Sequence, residues 1–371
     1  MREKHSIYFL IAEFENSFKI IKSLNLRDKI KNYIIDEEFD RELDNFCNNK
    51  NHIQRIIRFM KYYYRKKIIN EKRIKSWLLN LFSANNFYGQ YCELMAYVWM
   101  FEMEIKFTPQ VMVNSNELLN KENIELDGCI VKKEIYFDIK AFGIQFYARE
   151  IFRRKLQEHF KGKIIYIEGL RDSSYKDISK YAFDAMKEIV TCLEKNQSYY
   201  IEGLRWNIKI LDIGKYNINL IKKRQQKEFN PYRFARENKF FCIRKASQFT
   251  INKPFILICS FSDSFNNFYD KGNLKNTNTA LRSLARRTFM ELNKCNKKAI
   301  RFDGRLEQNL LIKDVVKYIS AVMFINFNSG MSRIFLNPYG QNKIKKSEIF
   351  EIIRGKIWSD CEVDDFEYDI Y

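Results

Sequence analysis

The segment IELDGCIVKKEIYFDIKAF, residues 124–142, constrains this chain more than any other. Read with period two, Leu126, Ile130, Ile135, Phe137, Ile139 and Ala141 share one face, with Gly128 the only gap. A face so apolar must pack on a core, so the segment predicts a β-hairpin with one buried side. A turn at Lys132-Lys133 sets Val131 opposite Glu134, Cys129 opposite Tyr136, and Asp127 opposite Asp138. Lys140 then shares the face of Asp138, and Glu125 falls opposite Lys140. Like charges directly opposed, about 4.5–5.5 Å apart at Cβ, destabilise a strand pair unless something compensates them. A divalent cation would compensate, because Mg2+ takes carboxylate oxygens together with water. An ammonium beside that cation can orient a water and offset phosphate charge. Metal-assisted phosphodiester hydrolysis uses these parts and needs no histidine.

Composition narrows the partner. Lys and Arg number 65 against 46 Asp and Glu, a net charge of +19. This excess predicts an anionic partner, nucleic acid first and an anionic membrane surface second. The basic residues are spread along the chain rather than gathered on one amphipathic helix, which argues against the membrane. No run of 18 apolar residues occurs, so no transmembrane helix is expected. With 46% hydrophobic residues, 12 Gly and 4 Pro, the chain is globular rather than disordered or collagen-like. Only His5, His52 and His159 are present, too few for histidine-based or multi-histidine metal chemistry. The eight cysteines form no CxxC pair, which argues against a zinc ribbon and a compact disulfide framework. The apolar run at residues 7–12 is short and followed by acids, unlike a signal peptide, so a reduced, cytoplasmic protein is expected.

The 371 residues suffice for two or three domains. Residues 1–84 are expected to be a helical, basic region, for no Gly or Pro precedes Gly89. Residues 85–200 are expected to form a core, and residues 201–371 a mixed α/β region serving recognition or dimerisation. Within the core the patterns predict a helix at 86–103, strands at 105–113, 125–131 and 134–141, a basic helix at 147–160, and a strand at 163–168 ended by Gly169. Beyond it come a helix at 179–195, strands at 206–211 and 255–261, a basic helix at 279–292, and a hairpin about Asn328-Ser329-Gly330. Residues 221–238 read as a linker.

Asp127, ten residues, then Asp138-Ile139-Lys140 resembles the signature of the PD-(D/E)xK nuclease superfamily. The helix–strand–strand–strand–helix–strand order resembles its restriction-endonuclease-like αβββαβ core. Leu126 stands where the signature has proline. The resemblance covers about 85 residues. It implies that Asp127 and Asp138 bind Mg2+, with Mn2+ as a substitute, that the Ile139 carbonyl joins them, and that Lys140 assists the attacking water. It also implies a helix glutamate in the site, and the matching residue is Glu93 in QYCELMAYVWM. The expected function is a Mg2+-dependent DNA endonuclease in restriction or phage defence. The alternatives are a ribonuclease or toxin of the same fold, or a basic nucleic-acid-binding protein without catalysis. A homodimer is expected if two sites cut two strands.

For DNA the candidate contacts are Arg55, Arg58, Lys61, Arg65 and Lys72, within a stretch from Arg55 to Lys75 holding nine basic residues against Glu71. That stretch reads either as a phosphate-tracking helix or as a solvated face. Arg282 and Arg286 recur at helical spacing and read in the same two ways. Lys222, Lys223 and Arg224 are further candidates. The tail at 360–369 carries six acids in ten residues, a solvated tail or a nucleic-acid mimic.

Overall fold

The computed structural model describes residues 4–27, 50–83, 86–120, 122–142, 144–169, 175–212, 231–261, 274–345 and 347–348. Lys222 to Arg224 and the acidic tail lie outside these residues. The chain divides into two compact units, one of residues 1–142, 239–263 and 285–371, the other of residues 143–238 and 264–284. The expected boundaries at 84/85 and 200/201 fall inside these units.

The larger unit contains helices α1 (Lys4–Ser17), α2 (Lys50–Arg65), α3 (Glu71–Leu81) and α4 (Phe87–Glu102). The N-terminal helices are no separate domain, because their apolar faces belong to the core of the sheet. On α2, Ile53, Ile56, Ile57 and Met60 follow the i, i+3, i+4, i+7 pattern and are buried. The basic stretch from Arg55 to Lys75 is not one helix. Lys67 takes a left-handed conformation at φ 57°, which ends α2. Asn70 then caps α3, its side-chain oxygen accepting the Arg73 N–H at 2.9 Å.

Six strands form the mixed sheet of this unit: β1 (Phe107–Val113), β2 (Ile124–Ile130), β3 (Ile135–Ala141), then β7 (Phe255–Phe261), β8 (Ala321–Asn326) and β9 (Met331–Leu336), in that spatial order. β1, β2 and β3 run antiparallel, β7 lies parallel to β3, β8 parallel to β7, and β9 antiparallel to β8. β8 and β9 are the hairpin expected about residues 328–330.

The smaller unit holds a three-stranded antiparallel sheet in the order β4 (Lys163–Gly169), β6 (Trp206–Asp212), β5 (Ser198–Ile201). Helices α5 (Ile144–His159), α6 (Met186–Asn196) and α7 (Pro231–Asn238) belong to it, with a core around Phe152, Ile165, Leu193 and Trp206. The helix expected at 179–195 is interrupted by a π-helical turn at Ser179–Phe183, and α7 occupies the end of the expected linker. Helix α8 (Leu274–Leu292) begins in the smaller unit and ends in the larger.

The strand at 163–169 therefore does not extend the first sheet, as the αβββαβ order implies. Its sequence KIIYIEG buries Ile165 and Ile167 but leaves both ends exposed, which suits a small antiparallel sheet wet on one side. FILICSF in β7 is buried along its whole length, as a strand covered on both faces must be, and it takes the place beside β3.

Candidate functional site

The hairpin has the register read from the sequence. Gly128 pairs with Phe137, Cys129 with Tyr136 and Ile130 with Ile135. Its turn is longer than two residues. Residues Val131–Lys133 make one 3-10 turn, and Glu134, at φ 49°, supplies the left-handed residue that a Lys-Lys pair does not favour. Leu126, Ile130, Ile135, Phe137 and Ile139 are buried as expected. The gap at Gly128 is filled by the Phe137 ring. A Cβ there would strike that ring and lie 2.7 Å from the Thr108 carbonyl oxygen.

On the other face Asp127 and Asp138 meet. Asp127 Oδ2 accepts the Ile139 N–H at 2.6 Å. Burial, then the charges of Asp138 and Glu93, raise the Asp127 carboxyl well above the usual carboxylate range, against the help of the Ile139 N–H. Asp127 and Asp138 are close enough to hydrogen-bond when Asp127 is protonated.

Glu93 joins this pair from α4, which packs against β3 and β7. Gln90, Glu93 and Tyr97 are three and four residues apart, so they line one stripe of a helix otherwise almost wholly apolar. Glu93 accepts Gln90 Nε2 at 3.0 Å and Gln110 Nε2 at 2.9 Å. Tyr97 is clamped by Phe59, Trp77 and Phe107 and donates its hydroxyl to the Asp127 carbonyl oxygen at 2.6 Å. Burial raises Glu93 to about 7, with the Asp138 charge adding and the Tyr97, Gln110 and Gln90 hydrogen bonds opposing.

Gln110, Gln248 and Lys245 are residues of this site that the sequence reading does not single out. Gln110 lies between the pairs Pro109–Gly128 and Val111–Leu126, hence opposite Asp127. It holds a left-handed backbone at φ 52°, a strained conformation for glutamine within a strand, and this aims its amide at Glu93. Gln248 Nε2 donates to Asp138 Oδ1 at 3.1 Å, and Lys245 Nζ lies 3.4 Å from Asp138 Oδ2.

Lys140 stands apart from the acids. Its ammonium donates to the Phe241 carbonyl oxygen at 2.8 Å and sits 5.7 Å from the centre of the Phe241 ring. Burial above all, helped by the charges of Arg244 and Lys245 and opposed by Cys259 and Cys242, lowers it to about 8. Glu125 does not face Lys140 in an ion pair; it accepts both ends of the Arg73 guanidinium at 2.8 and 2.5 Å. Glu134 pairs with Lys253 at the turn.

The basic candidates divide by what they touch. Arg55 and Arg58 both bond Glu102, at 2.5 and 2.8 Å. Lys61 is half-buried, and Arg65 and Lys72 are exposed. Arg286 is 3% exposed, so it is not on a phosphate-facing surface as its helical spacing allowed; that face of α8 is core. Arg282 is half-buried. Of the aromatics in this stretch, Phe59 and Tyr63 are core, while Tyr62 and Tyr64 are exposed.

Among the described residues no three His, Cys, Asp or Glu side chains are arranged to hold a metal ion by themselves. The site nevertheless suits a hard cation. Asp138 Oδ2, Gln110 Oε1 and Gln248 Oε1 are buried oxygens without a hydrogen-bond donor. Mg2+ is bound through one or two carboxylates and keeps several waters, so the Asp127–Asp138 pair meets its needs without a third carboxylate. Among the described residues no helix is long and apolar enough to cross a membrane. Comparison with protein families, curated proteins and solved structures finds no match.

Proposed function

We propose that this chain is a Mg2+-dependent endonuclease that hydrolyses phosphodiester bonds of DNA. One observation carries the reading: Glu93, Asp127 and Asp138, from three different elements, crowd into one half-buried place with oxygens that lack donors. A fold does not gather three carboxyls at such cost in desolvation and repulsion without return, and a divalent cation supplies it. Asp127 and Asp138 would hold the cation, with the Ile139 carbonyl beside them and Glu93 reaching it through water. When bound, Mg2+ supplies Lewis acidity at the phosphoryl oxygen and lowers the pKa of a water. Gln90, Gln110 and Tyr97 orient Glu93 and the Asp127 backbone. Lys140, held half-buried by Phe241, has an ammonium whose proton is easily lost, as suits a group that steadies an attacking water or a charged phosphate.

The net charge of +19 supports a nucleic-acid substrate. Most of the second unit, residues 143–238, lies in sequence between β3 and β7, outside the strands that carry the acids, and the unit would serve target recognition. A restriction or phage-defence role fits a nuclease with so much added mass, and cutting of both strands would use two copies.

The test is cleavage of plasmid DNA and of total RNA, side by side, with Mg2+ and with EDTA, for wild type and Asp138→Asn. Plasmid cleavage that needs Mg2+ and is lost in Asp138→Asn supports the reading. RNA cleavage with intact plasmid moves the enzyme to the ribonucleases. Binding of both without cleavage of either overturns catalysis.

A further inference from the structure

We propose that Lys245 is a counter-ion standing in for the divalent cation at Asp138, and that metal binding must displace it. The inference rests on the metal-dependent reading above and concerns what sets the affinity of that site.

Asp138 is 2% exposed, and a carboxylate so buried needs a partner. The two oxygens are served differently. Oδ1 accepts a directed hydrogen bond from Gln248, whereas Oδ2 has none and lies 3.4 Å from the Lys245 ammonium, the one cation within ion-pair distance of Asp138 among the described residues. That is charge compensation without a hydrogen bond, the looser of the two ties. The lysine of the Asp-x-Lys motif does not do this work, because Lys140 is engaged by the carbonyl and ring of Phe241.

Lys245 is built to leave. Its side chain is 36% exposed, so its ammonium has water within reach. Its backbone departs from helical geometry, at φ −122° and ψ 15°, within the short helical stretch Ile243–Gln248. The residues around it are fixed. Ile243 and Ala246 are buried, and the Ser247 N–H donates to Asp303 Oδ2 at 2.9 Å. Only the lysine side chain has to move. A dication on Oδ2 and an ammonium at ion-pair distance from the same oxygen repel strongly in a half-buried site. One must exclude the other, so Lys245 sets a metal threshold below which the site stays neutralised by the chain itself.

The experiment is isothermal titration of the full chain with Mn2+ alone, for wild type, Lys245→Gln, Lys245→Met and Lys245→Arg. Thermal melts with and without Mn2+ accompany it. The two neutral variants are expected to bind Mn2+ about tenfold more tightly than wild type, since no cation has to be expelled. Lys245→Arg is expected to stay within about twofold of wild type, because it keeps the charge. The neutral variants should melt lower than wild type without metal and gain more from Mn2+. Neutral variants that bind Mn2+ no more tightly than wild type overturn the proposal and leave the metal site standing. A wild type that binds no Mn2+ overturns both.

Discussion

The acidic cluster and the basic helix α2 hold charge in opposite ways. In the cluster, Glu93, Asp127 and Asp138 are crowded and under-compensated, and the pKa values of Glu93 and Asp127 rise in consequence. On α2, Arg55 and Arg58 already share Glu102, and Arg65 stands in water. A count of charges ranks α2 as the functional region. The structure ranks it second, because a charge that the fold has already satisfied or solvated costs little to keep. An uncompensated one is costly and calls for an explanation outside the chain.

The largest effect should come from breaking the crowding. Asp127→Asn is expected to abolish Mg2+-dependent cleavage. The same change should raise the stability of the metal-free protein by on the order of 1 kcal/mol, since it removes a buried acid that repels two others. Calorimetric melts in EDTA beside a plasmid assay measure both, and a variant that cuts normally or melts much lower would make Asp127 a structural residue.

A smaller effect concerns pH. Glu93 has a folded value of about 7 against 4.5 for the ordinary group, so between these values the folded state binds more protons than the unfolded one. Its contribution is complete below about 4.5 and is lost as pH rises through about 7. Metal-free wild type should therefore lose on the order of 2 kcal/mol across that window on this account. Glu93→Gln should flatten the loss. Denaturant titrations at pH 5 and pH 8 check it, and equal slopes for the two proteins would separate Glu93 from the cluster.

The smallest effect sharpens the other side of the comparison. Neutralising exposed Arg65 and Lys72 together should flatten the plot of log DNA affinity against log salt by about two units. Adding Arg58 should change it little further, because Glu102 already engages that residue. Fluorescence anisotropy of a short duplex across a salt series reads this, and an unchanged slope would make α2 and α3 ordinary solvated faces.

What was legible in the sequence was local. Period two placed Leu126, Ile130, Ile135, Phe137 and Ile139 on the buried face, and the pairing of Cys129 with Tyr136 follows from it. Glu93 was legible as a carboxylate on an apolar helix. Lys245 and Gln248 were not, because they reach Asp138 from more than 100 residues away and no periodicity records such a meeting. Gln110 was hidden differently. Its left-handed backbone has no signal in a residue that rarely adopts it. The exchange of β4 for β7 had a trace in composition, since FILICSF is apolar but for Ser260 and KIIYIEG carries a charge near each end.

The position of β7 has a consequence in time. Gln248 and Asp138 are separated by 110 residues of chain, and the strand that pairs with β3 follows Gln248. At about 5–20 residues per second of synthesis, roughly 6–20 s pass between the emergence of the acids and that of their partners. Through that interval β3 is a sheet edge, and the Asp138 it brings opposite Asp127 discourages the strand from pairing with another chain. A ribosome-bound fragment ending before β7 thus carries the acids of the site without the segment that completes it. On the proposed function, competence would arrive only after Lys245 and Gln248 have been made, well over half of the way along the 371 residues.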